Sequence, residues 1–319
     1  MVLEEARRPL VLKELPRPSP GPREVMIRVE SCGVCRTDVH IADGELGPPK
    51  LPLILGHQIV GKIEEVGSEV TKFRVRDAIG VPWLGGTCQQ CEFCLSEREN
   101  LCDQALFTGY LRDGGYAEFA VAHEDYIFKG ISDAPLLCAG LIGYRTFKLA
   151  GFPKVAGYYG FGSSAHLILQ VAKFLGSEGY VFTRPGDVET QTFARSLGAK
   201  WAGGSDEFPP KLLDAALIFA PVGALFTQAL KAVKKGGKVI SAGIHMSDIP
   251  TFPYKLLWEE RTLTSVANLT RQDGKEFFDL VEKTPLEITT TLYPLEEANQ
   301  ALDAIRSGKA IGSVVLKIS

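Results

Sequence analysis

Hydrophobic and polar positions follow two different rhythms along this chain. Over residues 1–135 the apolar residues come in short alternating runs, such as Glu24–Glu30 (EVMIRVE) and Ile59–Val66 (IVGKIEEV), set among Gly and Pro. Period-two alternation bounded by turn residues predicts short strands joined by turns. Over residues 141–267 apolar runs alternate with helix-period stretches. Strands are predicted at Val155–Tyr159, Tyr180–Thr183, Leu213–Phe219 and Lys238–Ala242. Helices are predicted at Ser163–Leu175, Val188–Leu197 and Ala224–Lys234. Strand–helix–strand repetition implies right-handed crossovers and a parallel sheet. Only Gly203–Lys211 separates the third strand region from the next strand, so this α/β half looks trimmed. A last apolar run, Ser313–Ile318, reads as an isolated strand that could return to the first domain.

The chain has 319 residues, more than one ordinary domain and suited to two. The expected division is a β-rich domain over residues 1–140 with a C-terminal return at 269–319, and an α/β domain over 141–268. With 45% hydrophobic and 23% charged residues, the composition is that of a soluble globular protein. A net charge of −3 without a basic stripe gives no reason to expect nucleic acid as a partner. No apolar run is long enough for a membrane span, and the N-terminal segment is no secretory signal. The cytoplasm is therefore the expected location.

Cysteine placement adds chemistry. Four of the seven cysteines form C-x2-C-x2-C-x7-C at Cys88, Cys91, Cys94 and Cys102. Such short intervals let one loop wrap its sulfurs around a tetrahedral ion, and four protein ligands make a closed, structural zinc site. An iron–sulfur cluster is the rival, but the bacterial ferredoxin run needs a three-residue third gap and a following Pro. Here the gap is seven, and Asp103 follows. Cys35, His57 and Cys138 lie far apart in sequence and are weak candidates one by one. Together they would supply two thiolates and one imidazole, leaving a fourth position for water or substrate.

Gly160-Phe-Gly162-Ser-Ser-Ala165 follows a predicted strand and opens a predicted helix. This G-x-G-x-x-A order suits a dinucleotide: Gly160 for the tight turn, Gly162 for close approach to a pyrophosphate, Ala165 for helix–strand packing. Thr183 and Arg184 end the next strand, where an acid for the adenosine ribose usually stands. Arg184 would pair with a 2′-phosphate, which leans the reading towards NADP over NAD, although Asp187 is near.

In combination these motifs resemble the zinc-containing medium-chain alcohol dehydrogenases, in their bacterial branch. The likeness spans essentially the whole chain. It rests on GVCRTDVH, LGHQIVGKIEEVG, the four-cysteine lobe, GGYAEFAV at Gly114–Val121, Cys138, the glycine turn, GIHMSDIP and SVANLTR, in the family's order. The resemblance implies a GroES-like β-rich catalytic domain with a Rossmann doubly wound parallel-sheet domain. It implies Cys35, His57 and Cys138 as catalytic zinc ligands, the Cys₂His set known for alcohol dehydrogenases. Thr37 matches the hydroxyl that takes the alcohol proton, and His40 the imidazole that passes it to solvent through the nicotinamide ribose. Asp38 matches the carboxylate that orients the histidine ligand. Arg36 matches a pyrophosphate contact, and Arg271 is grouped with the cofactor contacts. Two zinc ions per chain, NADP or NAD, a small alcohol or aldehyde substrate and a homodimer or homotetramer follow from the same resemblance.

Departures from the family pattern stand at Gln58 (usually Glu), Ile142 (often Thr) and Ser313 (often a phosphate-binding Arg). A zinc-free quinone or enone reductase would lack the cysteine lobe and the Cys/His set. A polyol dehydrogenase commonly has Glu as third ligand, where this chain has Cys138. A non-catalytic zinc-stabilised scaffold would be expected to lose Cys35, Thr37, His40 or His57 first.

Overall fold

The computed structural model describes residues 1–47, 50–308 and 310–319. Its contacts divide the chain into two units: Met1–Cys138 with Asn268–Lys275 and Thr289–Ser319, and Ala139–Ala267 with Glu276–Ile288. Residues 276–288, inside the expected C-terminal return, belong to the second unit. The Glu276 carboxylate there accepts from Tyr144 Oη at 2.9 Å, and the Phe277 ring lies 5.6 Å from that of Tyr144.

The first unit is built around the strand Glu24–Val34, which pairs antiparallel with Ile59–Val66, Phe119–His123 and Ser313–Lys317. Thr290–Pro294 extends the sheet beyond Ser313–Lys317, and Ala78–Val81 and Phe128–Lys129 extend it beyond Ile59–Val66. The chain's last strand thus does return to the first unit. Glu24–Val34 runs four residues past the alternating stretch read from sequence. Register shifts at Met26/Ile27 and Val29/Ser31 interrupt its pairing with Ile59–Val66, as bulges do. Val25, Ile27, Ile59, Ile63, Ile79, Val81, Val314 and Leu316 form its core.

Register explains why distant residues can meet. Cys32 pairs with Ile59, and Ile59 pairs with Val81. Cys35 follows the first strand, His57 precedes the second and Trp83 follows the third. All three therefore emerge at one end of the sheet. Leu137 seals the neighbouring strand, since a Cβ on Gly80 would meet its Cδ2 at 2.6 Å. Cys138 comes directly after it.

In the second unit six strands lie parallel. Their order is Trp201–Gly204, Glu178–Thr183, Val155–Tyr159, Leu213–Ile218, Val233–Ser241, Thr262–Ser265. Numbered along the unit this is 3-2-1-4-5-6, the Rossmann order. Every residue of Val155–Tyr159 is buried, as expected for a parallel strand covered on both faces. The Tyr159 and Phe182 rings stack at 4.1 Å. No helix bridges Gly204 and Leu213, so the trimmed crossover is real. One expectation needs correction. The helix ends at Ala232, and Val233–Ser241 is already strand. Val233 pairs with Leu213, and Lys234 Nζ donates to Asp214 Oδ1 at 2.6 Å, so pairing overrides the helical propensity of the lysines. Among the described residues no helix is long and apolar enough to cross a membrane.

Candidate metal centres and cofactor turn

Cys35 caps the short helix Arg36–Ala42 from a β conformation, with its sulfur accepting from Thr37 N at 3.5 Å. Asp38 completes a capping box by accepting from Cys35 N at 2.8 Å through Oδ2. Its other oxygen accepts from His57 Nδ1 at 3.1 Å. One carboxylate, itself fully buried, thus fixes two candidate ligands at once. With Nδ1 taken, Nε2 is the nitrogen left to face a metal. That Nε2 is buried and has no hydrogen-bond partner.

Cys138 closes the group. Its sulfur lies 3.9 Å from that of Cys35, and one ligand atom from each of Cys35, His57 and Cys138 lies within 4.8 Å of the others. Two sulfurs bound tetrahedrally at about 2.3 Å from zinc stand about 3.8 Å apart, so the spacing fits. Three protein ligands leave one position open. Without metal, burial works against a His57 cation, but Asp38 and Cys35 outweigh it and push the imidazole up to about 10. The hydrogen bond with Cys138 holds the Cys35 thiol well below its usual range and Cys138 above it. Metal binding here therefore displaces protons.

Trp83 stands edge-on to His57 at 4.9 Å and stacks on Phe107 at 4.9 Å. It is at once a core aromatic and a neighbour of the site. Gln58 is buried, and a Cβ on Gly33 would strike its Cδ at 2.7 Å. Cys32 is a buried thiol whose ionisation burial suppresses, packed beside Gly56 and Gly115. It takes no part in either sulfur cluster.

The four-cysteine lobe is also brought together. Sulfur separations are 3.8 Å for Cys88–Cys94 and 3.5 Å for both Cys91–Cys94 and Cys88–Cys102. All are close to the tetrahedral value, and all seven cysteines are free of disulfides. Backbone N–H groups of Gln90 and Cys91 pull the Cys88 thiol down to about 6, which favours the thiolate a metal needs.

The glycine turn has the shape the sequence required. Gly160 has φ +87°, and a Cβ there would meet Ala220 at 2.8 Å. Beside Gly162 a Cβ would meet nothing within 4 Å, which leaves the backbone approachable. No side chain caps the helix Ser163–Phe174 that follows, and Ala165 is fully buried. This is a cradle suited to a pyrophosphate.

The remaining sequence candidates fall in different places. Thr183 is buried, and its hydroxyl is engaged by Gly203 O and Gln191 Nε2. Arg184 is exposed at the strand end, while Asp187 caps the next helix by accepting from Thr190 N. Arg36 donates to Arg306 O at 3.4 Å. Arg271 is drawn to the cysteine lobe: its N and Nε both donate to Glu99, which is buried, and its guanidinium covers Tyr126. Ser313 is buried in its strand, and Ile142 lies half-buried in the helix Ala139–Leu149. Sequence reasoning missed Glu99, which opens the 3-10 turn Glu99–Leu101, and Glu45, just past the helix Arg36–Ala42; neither has a motif of its own.

One closed and one open zinc-type site, in a chain that also folds a Rossmann sheet with a phosphate-type turn, define a zinc-dependent, nicotinamide-linked dehydrogenase. The family described as "Alcohol dehydrogenase GroES-like domain" matches residues 21–133, and "Zinc-binding dehydrogenase" matches residues 189–316. The probable alcohol dehydrogenase AdhA of Mycobacterium tuberculosis is 43% identical over 315 residues, covering 94% of this chain and 90% of that protein. The solved cobalt- and zinc-bound thermostable alcohol dehydrogenase of Pyrobaculum aerophilum is 25% identical, with TM-score 0.90 over 99% of this chain and 98% of that one. CAD from Helicobacter pylori, solved with NADP(H), is 25% identical with TM-score 0.82, over 93% and 91% of the two chains. The chain belongs to the zinc-containing medium-chain alcohol dehydrogenase family. It is an NAD(P)-linked oxidoreductase acting on small-molecule alcohols.

Proposed function

We propose that Cys35, His57 and Cys138 hold the catalytic zinc, that Cys88, Cys91, Cys94 and Cys102 hold a structural one, and that small to medium primary alcohols are the substrates. The buried His57 Nε2, unpaired beside two sulfurs at tetrahedral spacing, carries the reading. Zinc bound there supplies Lewis acidity towards the alcohol oxygen, and the nicotinamide supplies the hydride acceptor. The chain's own part is orientation and proton handling. Thr37 Oγ1 lies 3.7 Å from Cys35 Sγ, at the edge of the site. His40 follows three residues later, on the same face of the helix. Thr37 takes the alcohol's proton as it passes on its own, and His40 conducts it outward.

Thr37→Ala is expected to lower kcat for alcohol oxidation at neutral pH about a hundredfold, the low end of acid–base contributions, with Thr37→Ser close to wild type. Nicotinamide absorbance reads both, and full activity in the alanine variant would remove the relay.

Gly160, Gly162 and Ala165 form the proposed pyrophosphate cradle, with Arg36, Thr183 and Arg271 as further cofactor-side residues. Arg184, exposed with Asp187 committed to a helix cap, favours NADP. Arg184→Ala is expected to raise KM for NADP about tenfold and to leave KM for NAD unchanged, as loss of one phosphate-paired guanidinium would. Equal KM values for NADP in the two proteins would discard Arg184 as a 2′-phosphate partner. A homo-oligomer, dimer or tetramer, and a cytoplasmic location complete the proposal. The deciding experiment is turnover of a short primary alcohol by zinc-replete protein, run in parallel with NAD and NADP. Absence of turnover in both directions would overturn the substrate class.

A further inference from the structure

The helix carrying Thr37 and His40 stops in a particular way. Gly44, at φ +70°, follows the last residues of Arg36–Ala42 and Asp43. Its N–H donates to Ile41 O at 3.1 Å, and the N–H of Glu45 donates to His40 O at 2.9 Å. Those two bonds are the Schellman pair, which brings the side chains of the third-last helical residue and the second residue beyond the cap together. That contact is usually apolar. In this chain it joins an imidazole to a carboxylate: His40 Nδ1 is hydrogen-bonded to Glu45 Oε2. The imidazole side chain is only 8% exposed, while the carboxylate is 43% exposed. Asp43, the other acid of the turn, is held by Arg306, with Nη2–Oδ1 at 2.7 Å and Nε–Oδ2 at 3.1 Å. Glu45 is therefore the acid of this turn that serves His40.

We infer that Glu45 is a positioning residue of the proton path: it holds His40 with its proton on Nδ1, so that Nε2 is the basic nitrogen, and it gives the buried ring a charged, water-facing partner. The inference rests on the proposed relay role of His40. The chemistry is direct. An ionised carboxylate only accepts hydrogen bonds, so the nitrogen it touches must be N–H, and a neutral ring then has its lone pair on the other nitrogen. When Nε2 takes a proton, the resulting cation already lies against a negative charge. No rearrangement of the ring is needed, because the Schellman turn sets the distance through the backbone.

The test uses zinc-loaded protein and the variants Glu45→Gln, Glu45→Ala and His40→Gln. Long-range proton–nitrogen correlation spectra report the ring tautomers of the five histidines, and His40→Gln assigns one of them. The wild-type spectrum should show His40 protonated at Nδ1. Glu45→Gln, whose amide oxygen can still accept, should keep that tautomer and lose activity only a few-fold. Glu45→Ala should lose the fixed tautomer and about tenfold in kcat, with alcohol KM within about twofold, a part of what the whole acid–base group provides. Zinc content and melting temperature should not change. Wild-type kcat and tautomer in Glu45→Ala, alongside an impaired His40→Gln, would overturn the inference and leave the relay standing. Wild-type kcat in His40→Gln would remove the relay and the inference together. A slow Glu45→Ala that had also lost zinc would show a structural role and overturn it.

Discussion

His57→Ala will bring the chain from about two zinc ions to about one and lower kcat/KM for alcohol oxidation at least a thousandfold. The Lewis-acid contribution of a catalytic metal is worth several kcal/mol, and about 4 kcal/mol is a thousandfold. No neighbour can replace the ligand. His57 is fully buried, its Nδ1 is spent on Asp38, and Trp83 packs against its ring edge-on. Removal also leaves Asp38 buried with one oxygen still held by Cys35 N and the other unpaired. Such a group costs stability, so a lower melting temperature should accompany the loss. Metal analysis and initial rates measured on the same preparation decide the matter. A variant with one zinc fewer and undiminished turnover would show that the ion at Cys35, His57 and Cys138 does no catalysis.

Cys94→Ser should act on stability instead. The lobe has little apolar support of its own: among the described residues its cluster comprises Leu84, Cys102, Ala105 and Tyr126 with Phe107 half-buried against them, while Leu95 is 74% exposed. Four thiolates around one ion must supply what a core would. Loss of about 3–5 kcal/mol corresponds to a melting temperature lower by roughly 10 °C for a unit of this size. Residues 88–102 should become the first site of proteolysis, and the zinc content should fall by about one. Activity per remaining zinc, measured well below the melting point, should stay near wild type. Unchanged stability with all zinc retained would mean that three cysteines suffice or that the lobe holds itself.

Much of this was readable in advance, for physical reasons that differ from element to element. Val155–Tyr159 announces itself because a strand buried on both faces must be continuously apolar. The lobe announces itself because tetrahedral sulfur needs short spacing. Other features depend on partners distant in sequence. Val233–Lys238 contains three lysines and two glycines and becomes strand only because Leu213 and Asp214 lie alongside. Cys138 has no local signature, since what makes it a neighbour of Cys35 is the register of three strands. The pairing of Arg271 with Glu99 has no local signature either, since that carboxylate lies 172 residues away in the chain. Glu45 carries no motif at all; only Gly44, one residue earlier, hints that the helix ends in a left-handed turn.

Asp38 has a bearing on which ions the open site will admit. Because it pins Cys35 through the backbone and His57 through the ring, the spread of these two ligands is set by protein hydrogen bonds. Such a frame acts as a gauge. Ions content with tetrahedral sulfur and nitrogen, zinc or cobalt among them, match it without distortion. Hard ions that demand six oxygens do not, however abundant they are around the protein.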